Sequence, residues 1–350
     1  MTSRNIFPAI RTLGKFALGA VFAIALLLPL PAAAQQRYSI QHKWTIGGEG
    51  GWDYLTADPA ADRLYVTHGT RVEVLDTNTG KVSGSIQGLQ GIHGVALDDS
   101  GKYGYISDGR AGTVVVFDRS SLKKLDSIPV GTNPDGIVFE PVTKTVWAFN
   151  GRSSNVSVID TATRKVVATI ALPGKPEFPV ADGKGMIFDN IESKNSIVRL
   201  DAKSKTLTAT WPLKNCDSPS GLAIDTAKRR LFTVCDSKTM NVVDANSGKV
   251  LATPPIGEGP DGAGYDPIQK LAFSSNGEGT LTIVDASKDS YPVIQTLSTQ
   301  KGARTMSVNS AGGRVYLTTA QFAPRSANAA PHTRPAILPG TFTVLVTGHQ

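Results

Sequence analysis

The chain has 350 residues, 40% of them hydrophobic and 19% charged, which is enough apolar material for a sizeable core and excludes a disordered chain. Two cysteines exclude a disulfide-built miniprotein and a multi-cysteine metal cluster, while 35 glycines and 21 prolines point to many turns. The formal net charge is +7, but Arg4, Arg11 and Lys15 fall in a leader without acids, so the remainder is mildly basic and argues only weakly for nucleic acid.

Residues 1–34 read as a secretory signal. The three cations form its start, an apolar run spans Phe16 to Leu30, and Ala32-Ala33-Ala34 places small residues before Gln35. The run falls short of the ~20 apolar residues of a membrane span. The expectation is a Sec-type exported protein, periplasmic or secreted, that matures near Gln35 and has no later membrane span.

Beyond the leader the chain repeats itself. An apolar strand ending in Asp before a polar turn recurs at Asp76, Asp118, Asp160, Asp201, Asp244 and Asp285, at spacings of 42, 42, 41, 43 and 41. A seventh copy, Phe342 to Val346, lies 61 residues on, so a Pro- and Ala-rich insertion occupies residues 320–340. Each unit holds four short β-rich runs; in the third they are 136–139, 145–149, 156–159 and 166–170, separated by clusters of Pro, Gly, Asn, Asp and Ser. Four strands per ~40-residue repeat is the sequence sign of a β-propeller blade.

The expected fold is therefore all-β. It is a single domain over 35–350, a seven-bladed propeller of four-stranded antiparallel blades near 48–88, 89–131, 132–174, 175–217, 218–258, 259–301 and 302–350. The seventh copy stops after its third strand. Tyr38 to Gly47 reads like the fourth strand Lys165 to Gly174, which predicts that the N-terminal strand closes the last blade.

Tyr65-Val66-Thr67, Val156 to Asp160, Lys165 to Ile170 and Val130 to Ile137 resemble the YVTN-repeat, YncE-like seven-bladed propellers of bacterial envelopes. The likeness covers the whole mature chain. It departs at Ala181 to Gly185, at the insertion, and at His68, where the motif places Asn. It implies the fold and an envelope location. It also carries a suggestion of single-stranded DNA binding, against which the scattered Lys and Arg residues, without a basic block, favour a solvated rim.

Aligned first strands give a polar column at their start: Asp53, His93, Asp135, Glu177, Ser220, Asp261 and Arg304. First strands of a propeller line its channel, so these side chains are expected to ring the mouth with a formal charge of −3 when His93 is neutral. Like charges brought together need a cation or donor. The ring is expected to bind a small polar ligand or to be merely hydrated, with Asp53, Asp135, Glu177 and Asp261 as candidate ligands for Ca2+.

Cys216 precedes the first strand of the fifth unit and Cys235 ends its second, so export predicts a Cys216–Cys235 disulfide. The insertion is expected on the mouth face, with Arg325, His332 and Arg334 near the ring or free as a surface loop. His68 and His93 end equivalent regions of neighbouring units and are candidates to meet near the mouth. No G-x-S-x-G, H-E-x-x-H or Walker pattern is present. The reading is a monomeric, non-catalytic binding protein for a small ligand or an envelope partner. A calcium-dependent lactonase- or esterase-like hydrolase using the same ring is the second reading, and weak single-stranded DNA binding the third.

Overall fold

The computed structural model describes residues 37–324 and 335–349; the leader and Arg325, His332 and Arg334 lie outside them. Seven four-stranded antiparallel sheets form the domain, six of them in chain order from the innermost strand outward and the seventh completed by the N-terminal strand. The innermost strands are Trp52–Asp58, Ile92–Leu97, Pro134–Glu140, Pro176–Ala181, Leu222–Asp225, Pro260–Asp266 and Thr305–Asn309, in blades 1 to 7. Each packs against the next, and that of blade 7 packs against that of blade 1, so the ring is closed.

Blade 7 joins the two ends of the chain. Its outermost strand is Tyr38–Thr45, which pairs with Thr343–His349 from Tyr38↔His349 to Thr45↔Thr343. Without that strand, Thr343–His349 would present a bare edge of unpaired backbone groups.

Second and third strands are buried on both faces because a sheet lies on either side. That is why Leu64-Tyr65-Val66 and Val114 to Phe117 are continuously apolar rather than alternating. The core lies between blades: Val66 and Leu75 of blade 1 meet Tyr316, Val344 and Val346 of blade 7. Outermost strands such as Lys165–Ala171 are largely exposed.

The Asp that marks each repeat is a turn residue. Asp76 Oδ1 accepts the Asn78 and Thr79 backbone N–H groups at 2.9 and 2.8 Å, and Asp244 Oδ1 accepts those of Asn246 and Ser247 at 3.1 and 3.0 Å. These hydrogen bonds hold the third-to-fourth-strand turn, so the signal that reveals the repeat is structural. Cys216 and Cys235 are joined by a disulfide with their Cα atoms 5.1 Å apart, tying the loop before blade 5 to its second strand.

Candidate functional site: the channel mouth

The polar column lies inside the innermost strand in five blades, not before it. Pairing with the second strand slips between Trp52 and Leu55, Ile92 and Val95, Pro134 and Ile137, Pro176 and Pro179, and Pro260 and Gly262. Such bulges bend a strand and re-aim its side chains. They fall on Asp53, His93, Asp135, Glu177 and Asp261.

Hydroxyls from the second strands satisfy the backbone that the slip frees. Thr67 Oγ1 accepts the Asp53 N–H at 3.1 Å and donates to the Tyr54 carbonyl at 3.0 Å. Ser107 Oγ accepts the Gly94 N–H at 2.8 Å and donates to the Asp135 carbonyl at 2.6 Å, stitching blade 2 to blade 3. The glycine after the column lets the next blade approach the axis: a Cβ at Gly136 would lie 2.1 Å from the Glu177 carbonyl oxygen.

Three of the seven column residues converge. His93 Nδ1 lies 2.7 Å from Asp53 Oδ2 and 3.6 Å from Asp135 Oδ1. The imidazole is held close over Gly109, where a Cβ would meet Nε2 at 2.6 Å. Burial disfavours the imidazolium, but the Asp53 hydrogen bond and the charges of Asp135, Asp53 and Glu177 outweigh it and raise the His93 pKa to about 9. Burial also raises the Asp135 carboxyl, with Asp53 adding to the rise and His93 opposing it.

The other four have separate partners. Lys175 bridges Glu177 and Glu192, the latter at 2.5 Å. Burial and Asp135 nevertheless hold the Glu177 pKa above the usual carboxylate range. Asp261 pairs with Arg304 of the next blade. Ser220 donates to the Pro260 carbonyl at 3.1 Å, so its hydroxyl ties blade 5 to blade 6. The expected ring is thus a trio, two ion pairs and a structural serine.

Beneath the mouth, the residues after Asp53 and Glu177 meet: the Tyr54 and Phe178 rings make an edge contact at 4.9 Å, joining blade 1 to blade 4. These blades are not ring neighbours, so the contact reaches across the axis. A cavity of about 470 Å3 is lined by Asp53, His93, Trp52, Thr132 and Asn133 and by three guanidinium groups, Arg110, Arg152 and Arg304. Two of these cations were not foreseen. Arg110 and Arg152 each follow the glycine just after a second strand, as Gly109-Arg110 and Gly151-Arg152, a pairing visible once the repeats are aligned.

Asp189 was also missed. It is fully buried, both carboxylate oxygens lack a side-chain donor among the described residues, and burial with Glu177 and Asp135 pushes its pKa well up. It sits opposite Pro179, where blades 1, 2, 3 and 7 place Val66, Ile106, Ala148 and Leu317. Blades 5 and 6 place Thr233 and Ser274 there, so the available signal was a carboxylate in a column otherwise without charge.

His68 does not join His93. It is fully buried, its ring 4.2 Å from that of Phe342 and its Nδ1 2.8 Å from Arg71 Nη2, and burial with Arg71 lowers its pKa to about 4. The described ends of the insertion do reach the mouth face. Phe322 bridges to Ile337, and its ring lies 6.1 Å from that of Trp52.

A cation could be held by Asp53, His93 and Asp135, whose ligand atoms all lie within 4.8 Å of one another. One nitrogen and carboxylate oxygens suit a transition ion, and binding would have to displace the His93 proton. The set expected for calcium is divided, because Glu177 and Asp261 are engaged by Lys175 and Arg304.

No family profile matches the chain. Curated relatives called "Uncharacterized protein YncE", from Salmonella typhi and Salmonella typhimurium, are 24% identical over 204 residues, 56% of this chain. The match spans 57% of the length of those relatives. Among solved structures, a Kuenenia stuttgartiensis hydrazine synthase chain aligns with a TM-score of 0.69 at 18% identity, covering 76% of this chain and 92% of that one. U3-55K aligns with a TM-score of 0.73 at 9% identity, over 89% and 98%. At these identities the structures speak for the fold alone. Seven closed blades together with the YncE matches identify the chain as a YncE-like seven-bladed β-propeller.

Proposed function

We propose that this propeller is an exported, non-catalytic binding protein that takes a small polar ligand at the channel mouth. The observation that carries the reading is the convergence of Asp53, His93 and Asp135 beside a cavity of about 470 Å3 that Asp53 and His93 line. Pockets with a few convergent polar groups and shifted ionisations are the usual places for ligands. Export rests on the leader sequence. An imidazolium kept to about pH 9 has no lone pair to offer as a general base at neutral pH, which favours binding over hydrolysis.

The test is a thermal-shift screen of small polar molecules on the mature chain, with calorimetry on the hits. Ligands of the mouth lose at least tenfold in affinity in His93→Gln and Asp53→Asn. Hits that bind both variants as tightly as the parent contradict the proposal.

A further inference from the structure

Beside the polar cavity lies a second, smaller chamber of about 220 Å3, lined by Trp52, Phe322, Pro335, Ile337, Lys301 and Arg304. Gly51, Trp52 and Arg304 line both chambers, so the two adjoin. The smaller one is walled mainly by apolar side chains. The Phe322–Ile337 bridge fixes that wall, and Trp52 in turn rests on Phe342 with ring centroids 5.3 Å apart.

The two chambers differ in charge and polarity. In the polar one Asp53 is answered by the raised His93. Arg110 and Arg152 have no carboxylate partner among the described residues. The lining there is net cationic, opposite in sign to the formal −3 of the sequence column. Trp52 Nε1 is buried with no acceptor among the described residues, a state in which an indole N–H usually has a partner.

We infer that the paired chambers bind an amphiphilic anion: its acidic headgroup meets Arg110 and Arg152 in the polar cavity, and its apolar body lies between Trp52, Phe322 and Ile337. The inference rests on the mouth being a ligand site and adds the class of ligand. A guanidinium pair favours a carboxylate or phosphate oxygen over a cationic group. Apolar burial in the alcove adds affinity with each methylene.

The experiment is calorimetric titration of the mature protein with straight-chain carboxylates from butyrate to octanoate, and with octylamine. Affinity should rise about fourfold per added methylene until the alcove is full. Octylamine should bind at least tenfold more weakly than octanoate. Arg110→Ala combined with Arg152→Ala, both on exposed loops, should weaken every acid about tenfold. Phe322→Ala should flatten the chain-length dependence while leaving butyrate unchanged. Affinity independent of chain length, octylamine equal to octanoate, or no binding of octanoate overturns the inference. If polar ligands from the screen still bind and still require His93, only the amphiphile falls and the mouth site stands.

Discussion

The innermost strands carry acids at both ends, and the two ends behave differently. Opposite the mouth lie Asp58, Asp98, Glu140, Asp182, Asp225, Asp266 and Asn309, all buried. There most of the acids are met by turn N–H groups or an arginine, while Asp266 keeps one oxygen without a partner among the described residues. Glu140 accepts the Val142 and Thr143 N–H groups at 3.0 and 2.7 Å, Asp225 those of Ala227 and Lys228 at 2.9 and 3.0 Å, and Asp182 those of Lys184 and Met186 at 2.8 and 2.9 Å. Asp58 is held by Arg119. At the mouth, burial raises the pKa values of Asp135, Glu177 and Asp189, and neighbouring carboxylates add to it: Asp53 on Asp135, Asp135 on Glu177, and both Glu177 and Asp135 on Asp189. Burial alone therefore does not mark a site; several buried charges that repel one another beside a cavity do.

The largest effect is expected at the satisfied end. Glu140→Ala leaves two backbone N–H groups and the Thr143 hydroxyl without their acceptor, and should cost about 2–3 kcal/mol in denaturant unfolding with ligand affinity unchanged. A parallel loss of affinity would break the division between the two ends.

His93→Gln should follow, with an effect that depends on pH. A folded pKa of about 9 is raised above the ordinary 6.5, so the stabilisation is complete below pH 6.5 and disappears as pH rises through 9. The variant should lose about 2 kcal/mol at pH 6 and little at pH 9.5, read from unfolding midpoints at both values. An equal loss at the two pH values would remove the ionic role of His93.

Asp189→Asn should have the smallest effect and the opposite sign. A carboxyl whose folded pKa is raised costs stability as pH climbs above its unfolded value, so the amide should stabilise by about 1 kcal/mol at pH 8 and less at pH 5. A destabilised variant at pH 8 would mean that the carboxylate is satisfied after all.

Most of the fold was legible because the turn aspartates impose their own period and each blade repeats one local pattern. Closure was legible too, since Tyr38–Thr45 reads as the fourth strand that the last unit lacks. The mouth was legible as a column but not as a partition. Lys175 sits two residues before Glu177 and neutralises it, yet it lies in a loop outside the aligned strands. Arg110 and Arg152 likewise reach the cavity from loops beyond the column, which is why a site read as acidic is lined by guanidinium groups. Asp189 put a charge in a column that holds apolar residues, Thr233 and Ser274 in the other blades, and such a single change in degenerate repeats carries little weight until burial shows its cost. His68 was expected near His93 because the two end equivalent regions of neighbouring units, and it instead fills space against Phe342.

The most direct test is the side-chain NMR titration of His93, assigned by its loss in His93→Gln. The account predicts an imidazolium that persists through pH 8, titrates near pH 9, and shifts when a mouth ligand binds. A midpoint near the ordinary 6.5, indifferent to Asp53→Asn, would contradict the convergence on which the site depends.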